Sequence, residues 1–173
     1  MLKAMVKDDA RAILHILRDR ETAWWSDDFR CKNYYEAVDF IKGGNETSDF
    51  IQYGIFRKES NTVMGYLQLI FTKSIENGND CELGYALSKD LRRNGYMSEA
   101  VNAACDYLFK DESINRVTLR ILPSNLPSLG VARKCRFCYV DEPIEKKRKR
   151  FLDDQPLDLY VRYRPAAEMN SAA

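Results

Sequence analysis

The stretch Arg92-Arg93-Asn94-Gly95-Tyr96-Met97-Ser98-Glu99-Ala100 constrains this chain more than any other. It follows a strand-like run, Glu82-Leu83-Gly84-Tyr85-Ala86-Leu87, and opens a helix-like run from about Ser98 to Phe109. A loop between a strand end and a helix start presents backbone N–H groups that no helical carbonyl satisfies, at the positive end of the helix dipole. Such a turn suits an anion, a phosphate or pyrophosphate in particular. Gly95 permits close approach of a ligand to the backbone, and the two arginines add positive charge. The same residues also fit an ordinary turn with a solvated arginine pair. No Gly-Lys-Ser/Thr ends the turn, which argues against a nucleotide-hydrolysing P-loop. No Gly-x-Gly-x-x-Gly follows the strand, which argues against a dinucleotide fold of that kind.

Arg92-x-x-Gly95-x-Met97 resembles the Arg/Gln-x-x-Gly-x-Gly/Ala pyrophosphate loop of the GNAT acyl-CoA N-acyltransferases. Leu91 precedes the loop as in that family, and Gly95-Tyr96-Met97-Ser98-Glu99-Ala100 resembles its usual Gly-Tyr-Ala-Thr-Glu-Ala. A second block, Asn125-Leu126-Pro127-Ser128 followed by Val131, Arg133, Lys134 and Phe137, is similar to a segment of the ribosomal-protein N-acetyltransferase-like branch. The likeness runs from roughly Leu2 to Arg164. Three positions depart from it. Met97 stands for the small residue that usually ends the loop, and Arg136 for the glycine before the phenylalanine. Ala132 stands where many members carry a tyrosine that protonates the departing thiolate.

Periodicity predicts the elements in order. A faint strand at Leu2 to Val6 precedes a helix capped by Asp8 or Asp9 and running to Arg18, its apolar side Ile13, Leu14, Ile16 and Leu17. A second helix fits Tyr34 to Lys42, ended by Gly43-Gly44. Strands at Phe50–Lys58 and Val63–Thr72 are joined by Glu59-Ser60-Asn61. A polar loop from Ser74 to Asp80 leads to the Glu82 strand and the Ser98 helix. Then come a strand at Arg116–Leu122, a short helix at Pro127–Lys134, and strands at Phe137–Asp141 and Leu157–Arg164. This order argues an α/β (α+β) fold with a mixed sheet. The resemblance implies about seven strands, splayed at the centre, with acyl-CoA threading the gap. One domain is expected over residues 1–165, with 166–173 a disordered tail.

The resemblance also implies a site. Acetyl-CoA would lay its pantetheine arm along Ala86 and Leu87 and its pyrophosphate on the amides of Arg93, Asn94, Gly95, Tyr96, Met97 and Ser98, beside Arg92. Asn125 would bond the cofactor or the splayed strand end, or simply cap the next helix. Lys134, with Arg133, would approach the adenine-side phosphate or lie on a solvated face. Acyl transfer to an amine needs a base, donors for the oxyanion and a proton for the thiolate. Glu82 is the first candidate base, with Asp80, Asp27 and Asp28 in reserve. Backbone N–H groups near Leu87 would serve the oxyanion. Ser128 is the candidate thiolate donor, since Ala132 cannot act. Trp24, Trp25, Asp27 and Asp28, in the loop between the first two helices, would form a wall for a cationic amine, or one tryptophan would pack in the core.

The expected reaction is acetyl transfer from acetyl-CoA to a primary amine, a protein N-terminus or a small molecule. Two rivals stand beside it. One is a CoA-binding module without chemistry. The other is a ribosome- or RNA-associated protein using the basic run Lys146-Lys147-Arg148-Lys149-Arg150. Composition bounds these readings. A chain of 173 residues with formal net charge +1 has no global bias toward nucleic acid. No apolar run is long enough to span a membrane, and the first residues lack the apolar core of a signal peptide, so a cytoplasmic location is expected. Cys31, Cys81, Cys105, Cys135 and Cys138 read as structural, and the lone His15 offers a metal no further ligands, so no metal is expected. Whether the chain forms a homodimer is left open.

Overall fold

The computed structural model describes residues 1–25, 31–44, 50–74, 78–150 and 153–165, with backbone only at 72–74 and 78–79. Seven strands form one mixed sheet in the order β1-β2-β3-β4-β5-β7-β6. They are β1 (Leu2–Lys3), β2 (Phe50–Phe56), β3 (Val63–Ser74), β4 (Gly78–Leu87), β5 (Ile114–Ile121), β6 (Cys138–Val140) and β7 (Asp158–Tyr163). Five helices flank them: α1 (Ala10–Arg18), α2 (Arg20–Trp25), α3 (Tyr34–Gly43), α4 (Tyr96–Leu108) and α5 (Leu126–Lys134). Every neighbouring pair of strands is antiparallel except β4 and β5.

Alternation along β4 assigns the two faces. Cys81, Leu83, Tyr85 and Leu87 join the core beneath α4 and α5, whose inward residues include Met97, Val101, Ala104, Leu108 and Ala132. Ala86 packs on the other face, against the cluster built by Ile13, Ile16 and Leu17 of α1, Ala37, Val38 and Ile41 of α3, and Tyr66 of β3. Burial of these side chains, about 1.5–3 kcal/mol for each large one, is what fixes the register.

Several expected elements shift. The expected loop between the first two helices contains α2, so Trp24 and Trp25 end a helix. The sheet begins β4 at Gly78, four residues before Glu82, because Asp80 is buried against Arg116 of β5 instead of lying in a polar loop. Asp9 does not cap α1 with its side chain; Oδ2 accepts from the Val6 N–H at 2.8 Å. The loop residue Met97 is buried, its side chain part of the core rather than a filler of the turn. Arg136, at the expected glycine position, has φ 61°, the left-handed conformation of a helix C-terminus. There the Phe137 N–H bonds Ala132 O at 3.0 Å and the Arg136 N–H bonds Arg133 O at 3.2 Å, the paired bonds of a Schellman end. Residues 166–173, expected as a tail, lie outside the described residues.

Candidate active site

The sheet opens at its one parallel junction. β4 pairs with β5 only from Asn79↔Ile114 to Glu82↔Thr118. Beyond Glu82, β4 continues against β3 as far as Leu87↔Gly65, and β5 continues against β7 as far as Ile121↔Asp158. The two strands therefore diverge, and the edge of β4 that faces β5 carries backbone groups with no strand partner. Arg116 clamps the closed end, with Nε donating to Asp80 Oδ1 at 2.9 Å and Nη2 to Oδ2. That ion pair raises the Arg116 pKa further and commits Asp80 to structure, which removes it as a reserve base.

A cavity of about 920 Å³ fills the opening, at the large end for small-molecule sites of about 300–1,000 Å³. Leu83 to Leu87 line one wall and Leu119 to Leu122 the other, with Arg93, Gly95, Tyr96, Met97, Ser98, Asn125, Ser128 and Lys134 at one end. Gly95 is the residue before α4, with φ 83°, and no side chain caps that helix. The first-turn N–H groups of Tyr96, Met97 and Ser98 thus face outward without intrahelical partners. A Cβ built at Gly95 would meet nothing within 4 Å, so the space above these amides is open. A pyrophosphate fits such a cradle. Unpaired strand edge, open amides and neighbouring cations together match the arm and phosphates of a CoA thioester.

The two loop arginines have different surroundings. Arg93 is exposed, with φ 66°. Arg92 also lines the cavity, but its guanidinium is engaged. Its Nη2 donates to Asp19 Oδ2 at 2.8 Å and Thr22 Oγ1 at 2.7 Å, Nη1 to Glu21, and Nε to Leu87 O at 3.2 Å. It ties the loop and the β4 end to α1 and α2 rather than offering a free guanidinium. Asn94 does not line the cavity; Nδ2 bonds Leu91 O at 3.3 Å and Arg92 O at 3.0 Å and closes the turn.

Glu82 and Ser128 line the cavity from opposite faces of the sheet. Glu82 stands at the last paired position before the strands diverge, and Arg148 Nη2 bonds its Oε1. Glu82 is mostly covered, at 17% side-chain exposure, while its partner Arg148 is more than half exposed. Ser128 sits in the first turn of α5, where Asn125 Oδ1 caps the helix by accepting from its N–H at 3.2 Å. Asn125 thus caps and also lines the cavity. Tyr85, on the Ser128 side, buries a hydroxyl that meets hydrogen-bond geometry to nothing among the described residues.

The far wall differs from expectation. Trp25 lines the cavity, with a buried Nε1 that has no partner among the described residues. Trp24 does not line it; Trp24 stacks beneath the Arg150 guanidinium at 4.9 Å, and its carbonyl accepts from Arg150 Nη1 at 2.7 Å. Asp27 and Asp28 lie outside the described residues. Gln68 was not anticipated. Its Nε2 donates to Gln52 Oε1 at 2.8 Å, and Gln52 Nε2 donates to Phe40 O at 3.1 Å. This ladder fixes the amide so that Gln68 Oε1 projects over Gly84, 2.8 Å from where a Cβ would stand. A polar residue between the strand hydrophobics Leu67 and Leu69 was the available signal.

The basic run folds over this wall. Lys147 bonds Asp158 at 2.6 Å, Arg148 bonds Glu82, and Arg150 bonds Asp153, so three of its five residues are engaged inside the chain. Cys135 is buried with Sγ 3.4 Å from Ser98 O, Cys138 is exposed, and both are free thiols. Burial pushes the Cys81 and Cys105 thiols up to about 12. No group of three or more candidate metal ligands exists among the described residues, and no helix there is long and apolar enough to cross a membrane.

Comparison with known proteins agrees with this geometry. The pattern described as an acetyltransferase (GNAT) domain matches residues 1–138. An uncharacterized N-acetyltransferase of Bacillus subtilis, YjdG, is 27% identical over 151 residues, covering 85% of this chain and 86% of its own. Spermidine N-acetyltransferase from Vibrio cholerae, solved with CoA and spermine, superposes with TM-score 0.74 at 15% identity over 95% of both chains. The ribosomal-protein-S5-alanine acetyltransferase of Vibrio fischeri gives TM-score 0.74 at 16% identity over 95% of this chain and 92% of its own.

Proposed function

We propose that this chain, which belongs to the GNAT acetyltransferase family, transfers the acetyl group of acetyl-CoA directly to a primary amine that enters on the Glu82 face of the sheet. The observation that carries this reading is the place of Glu82, at the apex of the divergence between β4 and β5 with its carboxylate in the cavity. Acetyl-CoA supplies an activated acetyl group as a thioester. The α4 amides, Arg93 and Lys134 would hold its phosphates, and the open edge of β4 at Ala86 and Leu87 its amide arm.

The protein supplies the proton handling. Glu82 accepts the proton that an ammonium must lose before its nitrogen can attack, directly or through a water. Its partner Arg148 shows that the carboxylate is already matched to a cation. An incoming ammonium would displace that guanidinium and find Gln68 Oε1 as a second acceptor. Ser128 places a hydroxyl hydrogen at the leaving sulfur, at the positive end of α5. Carboxylate and amide oxygens with the Trp25 ring favour a cationic acceptor. A polyamine such as the spermidine named for one Vibrio enzyme satisfies that chemistry, and so does a protein N-terminal amine, a reading compatible with the ribosomal-protein alanine named for the other.

The test is thiol release from acetyl-CoA with a panel of spermidine, an aminoglycoside and peptides with free N-termini, with products weighed by mass spectrometry. Amine-dependent release with one acetyl group gained supports the reading. Tight acetyl-CoA binding without transfer to any of them overturns it.

A further inference from the structure

We propose that Tyr85 is a positioning residue for the thioester end of this site: its phenolic hydroxyl holds the Ser128 hydroxyl toward the leaving sulfur. The proposal rests on the reading of Ser128 given above.

The Tyr85 hydroxyl is buried and has no partner meeting hydrogen-bond geometry among the described residues. A buried hydroxyl left so costs about 1–3 kcal/mol, and such groups concentrate where function requires them. The Ser128 side chain is the hydrogen-bonding group within its reach, and Cys135 is near enough to act on it electrostatically. Ser128, Ala132 and Cys135 lie four and three residues apart along α5, on one face of the helix. Tyr85 therefore sits over that face. Ala132, 1% exposed, contributes only a methyl group there. A larger side chain at 132 would compete with the ring. The strand thus brings a phenol to the α5 face that the helix itself does not supply.

The direction of the bond follows from the inventory of each group. A hydroxyl in the first turns of a helix can turn back on local backbone groups. Donation from Tyr85 to Ser128 Oγ occupies a lone pair and leaves the serine hydrogen free to point into the cavity. Burial holds the Tyr85 hydroxyl well above the ordinary tyrosine range, so it remains a donor across the working pH range. The other charged and titratable groups around the site are constant or separable. Lys134 and Arg120 line the cavity as well, Glu82 is paired with Arg148 on the opposite face, and burial raises the Cys135 thiol.

The experiment uses free CoA bound to the full chain and needs no acceptor. The thiolate absorbance of bound CoA is followed against pH, with acetyl-CoA-loaded protein subtracted to remove the protein cysteines. In the wild type the bound thiol should ionise below the pH at which free CoA does. Tyr85→Phe and Ser128→Ala should each raise that midpoint by about one pH unit, the loss of one hydrogen bond to a charged sulfur. The double variant should go no further than Ser128→Ala, and Ser128→Thr should restore the wild-type value. Acetyl-CoA affinity should stay within about twofold in every variant, which shows that the fold is intact. A Tyr85→Phe midpoint equal to wild type while Ser128→Ala shifts, or fully additive shifts, would overturn the role of Tyr85 alone. Failure of CoA to bind the wild type would overturn the functional reading with it.

Discussion

Arg92 Nη2 donates to Asp19 Oδ2 at 2.8 Å, and through Nε the same guanidinium holds Leu87 O at 3.2 Å. One side chain therefore joins the Arg92–Ser98 loop, the end of β4 and the turn between α1 and α2. Its effect on a cofactor is indirect. Asp19→Asn removes a negative charge from the vicinity of the loop. If Arg92 were a phosphate ligand restrained by Asp19, affinity for acetyl-CoA would rise. The tie predicts the opposite, a fall of about three- to tenfold, or about 0.6–1.4 kcal/mol. Calorimetric titration gives the sign.

The same pair sets a pH dependence. Burial works to raise the Asp19 pKa, but the Thr22 N–H, the Arg92 guanidinium and the Thr22 hydroxyl together bring it below its ordinary 3.8. A carboxylate depressed in the folded state stabilises the fold above its unfolded pKa, and that contribution fades as pH falls through the folded value. The difference in Tm between wild type and Asp19→Asn should thus be full at about pH 5 and shrink toward about pH 3. A difference that grows on acidification would place the stabilising charge elsewhere.

Gly95 has φ 83° and open space where a Cβ would be. Gly95→Ala should therefore cost stability, about 1 kcal/mol from the left-handed backbone, while leaving room for a ligand. Gly95→Asp should in addition weaken acetyl-CoA binding by about tenfold or more, about 1.4 kcal/mol. Equal affinities for the two variants would show that no phosphate lies over these amides.

Arg136 is a long side chain in a conformation that glycine adopts without cost, φ 61° at the end of α5. Arg136→Gly should stabilise the protein by about 1 kcal/mol, a rise in Tm of about 2–4 °C. An unchanged or lower Tm would mean that the arginine side chain makes up for its backbone.

Periodic elements were legible and distant partnerships were not. α1, α3, α4 and α5 lie close to where the sequence predicts helices, and Ile13, Ile16 and Leu17 of α1 are buried as expected. α2 is six residues long, too short for a period to emerge. The early start of β4 was hidden because Asp80 reads as loop until Arg116, 36 residues on, is placed across from it. The loop motif singled out Gly95 and neighbours that line the cavity, yet Arg92 finds Asp19 at a separation of 73 residues. Nothing local signals that pairing. Tyr85 read as one more strand aromatic; only the packed α5 face shows where its hydroxyl ends.

Glu82 tests the account most directly. With an accepted amine from the thiol-release panel, Glu82→Gln keeps the shape at the apex of the divergence and removes the proton acceptor. Turnover should fall by about 100- to 10,000-fold while acetyl-CoA affinity, measured by titration, stays unchanged. Wild-type turnover by Glu82→Gln would contradict the assignment of the base and, with it, the side from which the amine enters.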